Sequence, residues 1–229
     1  MIAKKKQFSI GAGMMAVFVI VLVIVFSPVF NGKNGLEFLD TLYNTISKGS
    51  AYYIPKVKED TDKFMGRPVS MTLDMGSKET AEQTAPLFEK AGATVELSDT
   101  KATVTGDLGK ILENCLADAD MMYANDGNMV AEKYGYNERQ VLFNWWTACK
   151  VMDNALTKQQ KFEAGRIVAH VKEKAVETSY NYYGIAPQKI SERLGVITFS
   201  LVFYVIYTMW YGFAIMYLFE GLGLQLEGH

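Results

Sequence analysis

The residues of this chain that could do acid–base, thiol or metal chemistry are few: two histidines, two cysteines and one short acidic stretch. Histidine is the usual general base and the commonest metal ligand. His170, between Ala169 and Val171, falls on a segment with helical apolar spacing, and His229 is the last residue. Neither has histidine, cysteine and carboxylate companions at ligand spacing, so His170 reads as a solvated or core side chain and no metal ligand is assigned. Cys115 and Cys149 form neither a C-x-x-C pair nor a C-x-x-C-H haem attachment. Each lies on an apolar stripe (Ile111, Leu112, Cys115, Leu116; Trp145, Trp146, Ala148, Cys149), the setting of buried free thiols. A disulfide between them stays open for an oxidising compartment, with Cα separation deciding it.

Asp118-Ala119-Asp120 through Asn125-Asp126-Gly127-Asn128 gathers the oxygen donors a hard cation such as calcium needs. Its spacing lacks the alternating donors and closing glutamate of an EF-hand loop, and the stretch reads as a helix end followed by an Asn-Asp-Gly turn. Thr105-Gly106-Asp107-Leu108-Gly109-Lys110 has the composition of a phosphate loop without the spacing that wraps backbone amides around a phosphate. It reads as a strand-to-helix cap. Twelve methionines are scattered, as gap-filling residues are. No catalytic residue, cofactor-binding residue or cofactor is assigned, and a protein that is not an enzyme is expected. An enzyme would need carboxylates, or Cys115 and Cys149, to converge in a cleft.

Trp145 and Trp146 are the candidate partner or ligand contacts. An indole can stack on a sugar ring, a quinone or an acyl chain, but adjacent helical positions point about 100° apart. One therefore enters a core while the other meets a neighbour.

The elements that position these residues begin with two apolar runs, 8–30 and 194–219. Each is long enough for a bilayer, since about 20 helical residues span a hydrocarbon core of roughly 30 Å. The 49% hydrophobic content is concentrated there, and the interval between holds most of the charge and enough residues for its own core. Lys4, Lys5 and Lys6 precede the first run, which favours a cytoplasmic N-terminus and places 31–193 outside. The N-terminal run is too long for an h-region and lacks an A-x-A-like site, so an uncleaved signal anchor is expected over a cleaved signal peptide. No N-x-[ST] sequon occurs, which fits a bacterial envelope protein. The expected tails, 1–7 and 220–229, are too short for a cytoplasmic output module, so inward signalling by this chain alone is not expected. The net charge of −2 lacks the basic footprint of a nucleic-acid binder, and none is expected as partner.

Within 31–193, Leu36, Leu39, Leu42, Tyr43 and Ile46 recur at helical spacing. Val69, Met71, Leu73 and Met75 alternate with polar residues as in a strand, and Ser77 caps a following helix to Lys90. Thr94–Leu97 and Ala102–Thr105 form a β-hairpin, and 107–123 a helix. The order β-α-β-β-α over 69–124 makes an α+β unit, followed over 137–183 by a helical hairpin of Glu138–Leu156 and Gln159–Tyr183. Tyr180, Tyr182 and Tyr183 suit a membrane–water interface.

The second apolar run carries Ser200, Tyr204, Tyr207, Thr208, Tyr211 and Gly212, whose steps of three or four put their hydroxyls and small residues along one side. Lipid offers hydroxyls no partner, so these are the candidate helix–helix contacts. Neither run contains Asp, Glu, Lys, Arg or His, which disfavours an independent pump or channel. The expectation is a membrane protein with two transmembrane helices flanking an extracytoplasmic α+β domain, a non-catalytic accessory or scaffold subunit of an inner (plasma) membrane complex. Its partners would be the lipid bilayer and other integral membrane subunits, with a homo-oligomer possible. The competing expectation is a membrane-tethered module binding a lipid, quinone or peptide through Trp145, Trp146, Tyr52-Tyr53 or Tyr180–Tyr183.

Overall fold

The structure is a computed structural model that describes residues 2–224. His229 and the end of the expected C-terminal tail lie outside the described residues. In chain order the elements are α1 (Lys5–Phe26), α2 (Gly35–Ser50), α3 (Ile54–Thr61), β1 (Pro68–Asp74), α4 (Lys78–Glu89), β2 (Thr94–Ser98), β3 (Lys101–Asp107), α5 (Leu108–Tyr123), α6 (Gly127–Tyr134), α7 (Glu138–Lys158), α8 (Phe162–Val171), α9 (Thr178–Tyr182) and α10 (Ile190–Leu222). They fall into two compact units. One takes the residues up to Gly49 with those from Pro187 on, and the other is Ser50–Ala186.

In the first unit α1 and α10 are long and apolar enough to cross a membrane, with mean hydropathies of 2.8 and 1.6 over their most apolar windows. α1 stops at Phe26, short of the expected 30, because Pro28 excludes the helical conformation from Ser27, which is extended at φ −82° and ψ 149°. Val29 and Phe30 belong instead to a tight turn. Phe30 and Lys33 exchange backbone hydrogen bonds of 3.0 Å across Asn31 and Gly32, whose φ values of 52° and 79° fit a type I′ turn. A capping box then starts α2: Asn34 Oδ1 accepts from the Glu37 amide at 2.9 Å, and Glu37 Oε2 accepts from the Asn34 amide at 3.1 Å. α10 outruns the expected 194–219 at both ends, since Ser191, Glu192 and Arg193 are polar yet continue the helix. The amides of Ala3 and Lys4 donate to the Gly221 carbonyl at 2.9 and 3.0 Å, so α1 and α10 run antiparallel.

The second unit contains the sheet. Its order is β1-β3-β2 with both pairings antiparallel, so β1 and β2 run parallel to each other with β3 between them. β1-α4-β2 is therefore a crossover split by the third strand. Val69, Met71, Leu73, Ala102 and Val104 are buried on one face. On the wet face Ser70 meets Thr105 at 3.0 Å and Thr72 meets Thr103 at 3.2 Å. Ser77 caps α4 by accepting from the Thr80 amide at 3.1 Å, and Asp107 caps α5 by accepting from Gly109 at 2.8 Å.

Two elements depart from the sequence-based expectation. Residues 127–134 form α6, where only the end of a turn was expected; the stretch is short and polar, and Val130 is its one fully buried apolar side chain. The second helix of the expected hairpin carries a π-helical turn, Lys172–Glu177, between α8 and α9. An added residue per turn leaves no mark in apolar periodicity over so short a span.

Candidate functional site

The α1–α10 pair is built on glycine and aromatic residues. A Cβ on Gly11 would stand 2.7 Å from the Leu218 nitrogen, and one on Gly221 2.5 Å from the Phe8 nitrogen, so both glycines permit backbone contact. Towards the other end, the Phe18 ring stacks on Tyr207 with centroids 4.4 Å apart and lies 4.7 Å from Tyr211. Tyr207 donates its hydroxyl to the Phe18 carbonyl, and Trp210 its indole N–H to the Met14 carbonyl, each at 2.9 Å.

This arrangement sorts the six helix-contact candidates. Tyr207 and Tyr211 face α1. Ser200 and the Tyr43 hydroxyl of α2 hydrogen-bond at 2.9 Å. Thr208 donates within its own helix, to the Tyr204 carbonyl at 2.8 Å. Tyr204 is 66% exposed, and a Cβ on Gly212 would meet nothing within 4 Å. Tyr204, Thr208 and Gly212, at i, i+4 and i+8, thus form a row that α1 does not cover. Trp210, Ala214 and Leu218 belong to the seam without having been singled out in the sequence, because their apolar character makes them indistinguishable from lipid-facing neighbours.

In the second unit the two tryptophans diverge. Trp145 is fully buried and donates its indole N–H to Asp118 Oδ2 at 2.8 Å. The same oxygen accepts from Tyr134 at 2.6 Å, and Oδ1 accepts from Lys133 Nζ at 2.6 Å. Lys133 also reaches Asn114 Oδ1 at 2.6 Å. A buried carboxylate thus ties α5, α6 and α7 together with its oxygens satisfied. Sequence reasoning passed over this cluster, although a signal existed: Asp118 falls three after Cys115 and four before Met122, on the apolar stripe of α5. Asp120 points elsewhere and accepts from the Tyr52 hydroxyl at 2.8 Å. The acidic stretch therefore does not converge, and no grouping of three or more histidine, cysteine or carboxylate side chains suited to a metal occurs among the described residues.

Cys115 and Cys149 are free and fully buried. Burial, reinforced by the neighbouring Cys149 thiol, pushes the Cys115 thiol well above the ordinary cysteine range, so it is protonated at neutral pH and a poor nucleophile. The tyrosines are absorbed more than an interfacial reading implies. Tyr182 and Tyr183 pack on the core, and Tyr183 donates to Glu138 Oε1 at 3.1 Å. The Tyr52 and Tyr123 rings lie tilted against each other with centroids 5.2 Å apart.

Burial raises the Tyr134 and Tyr136 hydroxyls, and the Asp118 carboxylate raises Tyr134 further. Tyr123 is pushed up to about 12, by burial first and then by Tyr182, Tyr53 and Tyr52. For an acid whose folded pKa is raised, the stabilisation is complete below the unfolded value, about 10 for tyrosine, and is lost as pH climbs towards the folded value. Unfolding of the detergent-solubilised chain is therefore expected to become progressively easier above about pH 10. Chemical denaturation at stepped alkaline pH, followed by tryptophan fluorescence, reads this; a flat profile would contradict the buried tyrosines. Ser179 gives a second expectation. Its hydroxyl is fully buried and has no hydrogen-bond partner among the described residues. Ser179→Ala removes an unpaired polar group and should stabilise by about 1 kcal/mol, measured as a rise in denaturant midpoint.

Two of the surface grooves on this unit bear on these residues. One of about 420 Å³ lies among Arg67, Val69, Leu108 and Gln160–Ala164, where Arg67 pairs with Glu163 at 3.2 Å. The other, about 290 Å³, is lined by Phe143, Trp146, Val176, Glu177, Tyr180 and Asn181. It holds Trp146, the half-buried one of the two tryptophan candidates. Compared with protein-family models, curated proteins and solved structures, the chain matches none of them.

Proposed function

We propose that this chain is a non-catalytic subunit of an inner-membrane assembly. α1 and α10 cross the bilayer as an antiparallel hairpin, with the Lys4–Lys6 end in the cytoplasm, and dock on other integral membrane subunits. The Ser50–Ala186 unit then lies outside the cytoplasm and caps the partner. The observation that carries this reading is the row Tyr204, Thr208 and Gly212. Tyr204 places a hydroxyl midway along an apolar helix with no hydrogen-bond partner among the described residues, beside an open glycine backbone. Hydrocarbon leaves such a hydroxyl unsatisfied, whereas a partner helix at a glycine can approach and accept from it.

The core of the outer unit supports a scaffold over an internal ligand site. Trp145, Tyr52 and Tyr123, which could have lined a cavity for a quinone or lipid, are packed or hydrogen-bonded within the unit. Extraction in mild detergent followed by native mass spectrometry tests the proposal. A defined complex is expected, with a second copy of this chain as one admissible partner, and Tyr204→Phe combined with Gly212→Leu should weaken it. A monomer under gentle conditions would refute it.

A further inference from the structure

The groove at Trp146 is shaped for one kind of contact. Arg139, Phe143, Trp146 and Lys150 follow one another at steps of four, three and four along α7, so two cations bracket two aromatic rings on a single helix face. Phe143, 47% exposed, lies nearly parallel to Trp146 at 6.0 Å. Lys150 Nζ lies 5.3 Å from the Trp146 ring, and the Arg139 guanidinium 5.0 Å from the Tyr183 ring and 5.8 Å from the Tyr180 ring. Neither cation is in an ion pair among the described residues. The one carboxylate in the groove, Glu177, already accepts from the Trp146 indole N–H at 2.6 Å. The opposite wall comes from the π-helical turn and α9. That extra-residue turn sets Val176, Glu177, Tyr180 and Asn181 against α7, and such turns recur at functional sites.

We infer that this groove docks an extended acidic segment of a partner protein, one bulky apolar or aromatic side chain filling the cavity and carboxylates meeting Arg139 and Lys150. The inference rests on the subunit reading above and adds what the outer unit recognises. Three features select this occupant. The cavity, about 290 Å³, is at the lower limit of small-molecule pockets and takes one large side chain. Its walls are chiefly apolar and aromatic, the composition of an interface hot spot, with arginine at the edge. The cations stand eleven residues apart on a helix, about 16 Å. An extended strand covers that distance in about five residues. The recognised pattern is therefore an aromatic or large aliphatic residue with acidic residues on both sides, about five positions apart. Asn181 is available to the backbone of the segment.

A random-peptide display library, selected on the intact protein in detergent micelles, tests this. The expected outcome is a consensus of one bulky apolar residue flanked by Asp or Glu. Enrichment should fall on the order of ten-fold on Phe143→Ser and again on Arg139→Glu with Lys150→Glu. Unchanged circular dichroism and melting must accompany each variant; Lys150→Glu alone, at the surface, serves if another fails to fold. Peptides without acidic residues, enrichment that survives both groove variants, or no consensus would overturn the inference. So would groove-dependent binding of anionic phosphatidylglycerol vesicles in place of peptides. A complex that stays intact on native analysis while the selection yields nothing refutes the groove and spares the subunit reading. A groove-dependent consensus on a protein that is natively monomeric supports the groove and refutes the subunit reading.

Discussion

Asp118→Ala should lower the stability of the Ser50–Ala186 unit by about 3–5 kcal/mol, the range for breaking a buried ion pair from one side. The carboxylate is fully buried and accepts from Lys133, Tyr134 and Trp145 at 2.6, 2.6 and 2.8 Å. Removing it takes the acceptor from a buried indole N–H and from the Tyr134 phenol, while Lys133, 23% exposed, keeps Asn114 Oδ1 at 2.6 Å and can turn partly to water. The loss should sit near the lower end of the range for that reason. Adding Lys133→Met to Asp118→Leu should recover part of it, because a buried pair replaced by apolar residues of similar volume is often neutral. Denaturant unfolding of the parent, Asp118→Leu, Lys133→Met and the double variant gives the coupling directly. A single-variant loss below about 1 kcal/mol would mean that the network is hydrated and not a structural tie.

That tie also shows where reading the chain from its residues stops. The helices and strands follow from periodicity and caps: alternation from Val69 to Met75, Ser77 before α4, Asp107 before α5 and the apolar stripe of α5 each have a local cause in the sequence. The place of Asp118 on the apolar stripe signals burial, but its partners stand fifteen to twenty-seven positions away and only tertiary packing brings α6 and α7 to it. The π-helical turn is hidden for a related reason. Ala175 and Val176 keep an apolar stripe in either register, and the shift appears only in what Tyr180 and Asn181 face. Trp145 and Trp146 are separated by their offset of about 100°, Trp145 falling on the stripe of Val141, Leu142, Ala148 and Cys149. Periodicity reveals α7 and its aromatic residues, which form one wall of the groove at Trp146, and leaves the opposite wall hidden.

The row on α10 was legible as polar and small residues at helical steps, but its division between two sides was not. Tyr207 and Tyr211 turn to Phe18, and Tyr204 and Gly212 do not. A step of three turns about 60° one way around a helix and a step of four about 40° the other way, enough over eight residues to assign one hydroxyl to a seam and the next to its outside. The close approach of α1 and α10 settles that division, and the glycines that allow it are themselves weak signals in a sequence.

Those glycines carry the second large effect. Gly221→Val and Gly11→Val should each separate α1 from α10, because a Cβ at these positions would stand 2.5 Å from the Phe8 nitrogen and 2.7 Å from the Leu218 nitrogen, and backbone cannot step aside as a flexible side chain can. Overpacking of this kind costs about 1–3 kcal/mol in a core. Here the separation also lengthens the Tyr207 and Trp210 hydrogen bonds to the carbonyls of α1. Gly212→Val and Gly13→Val introduce the same side chain into helices of the same composition, but in the α1–α10 pair nothing lies within 4 Å of either Cβ. Between Gly11 and Gly13, both interior to α1, helix propensity therefore cancels and the difference reports packing alone. Titration of the purified chain with a denaturing detergent, read by tryptophan fluorescence, should show early loss of the helix pair for Gly11→Val and Gly221→Val and a midpoint near that of the parent for Gly212→Val and Gly13→Val. Equal midpoints in all four would mean that the glycines set no contact. The Gly212 variant separates two interfaces at once. If α10 meets a partner along Tyr204, Thr208 and Gly212, Gly212→Val keeps the hairpin and loses the complex, a combination that damage to the hairpin itself would not produce.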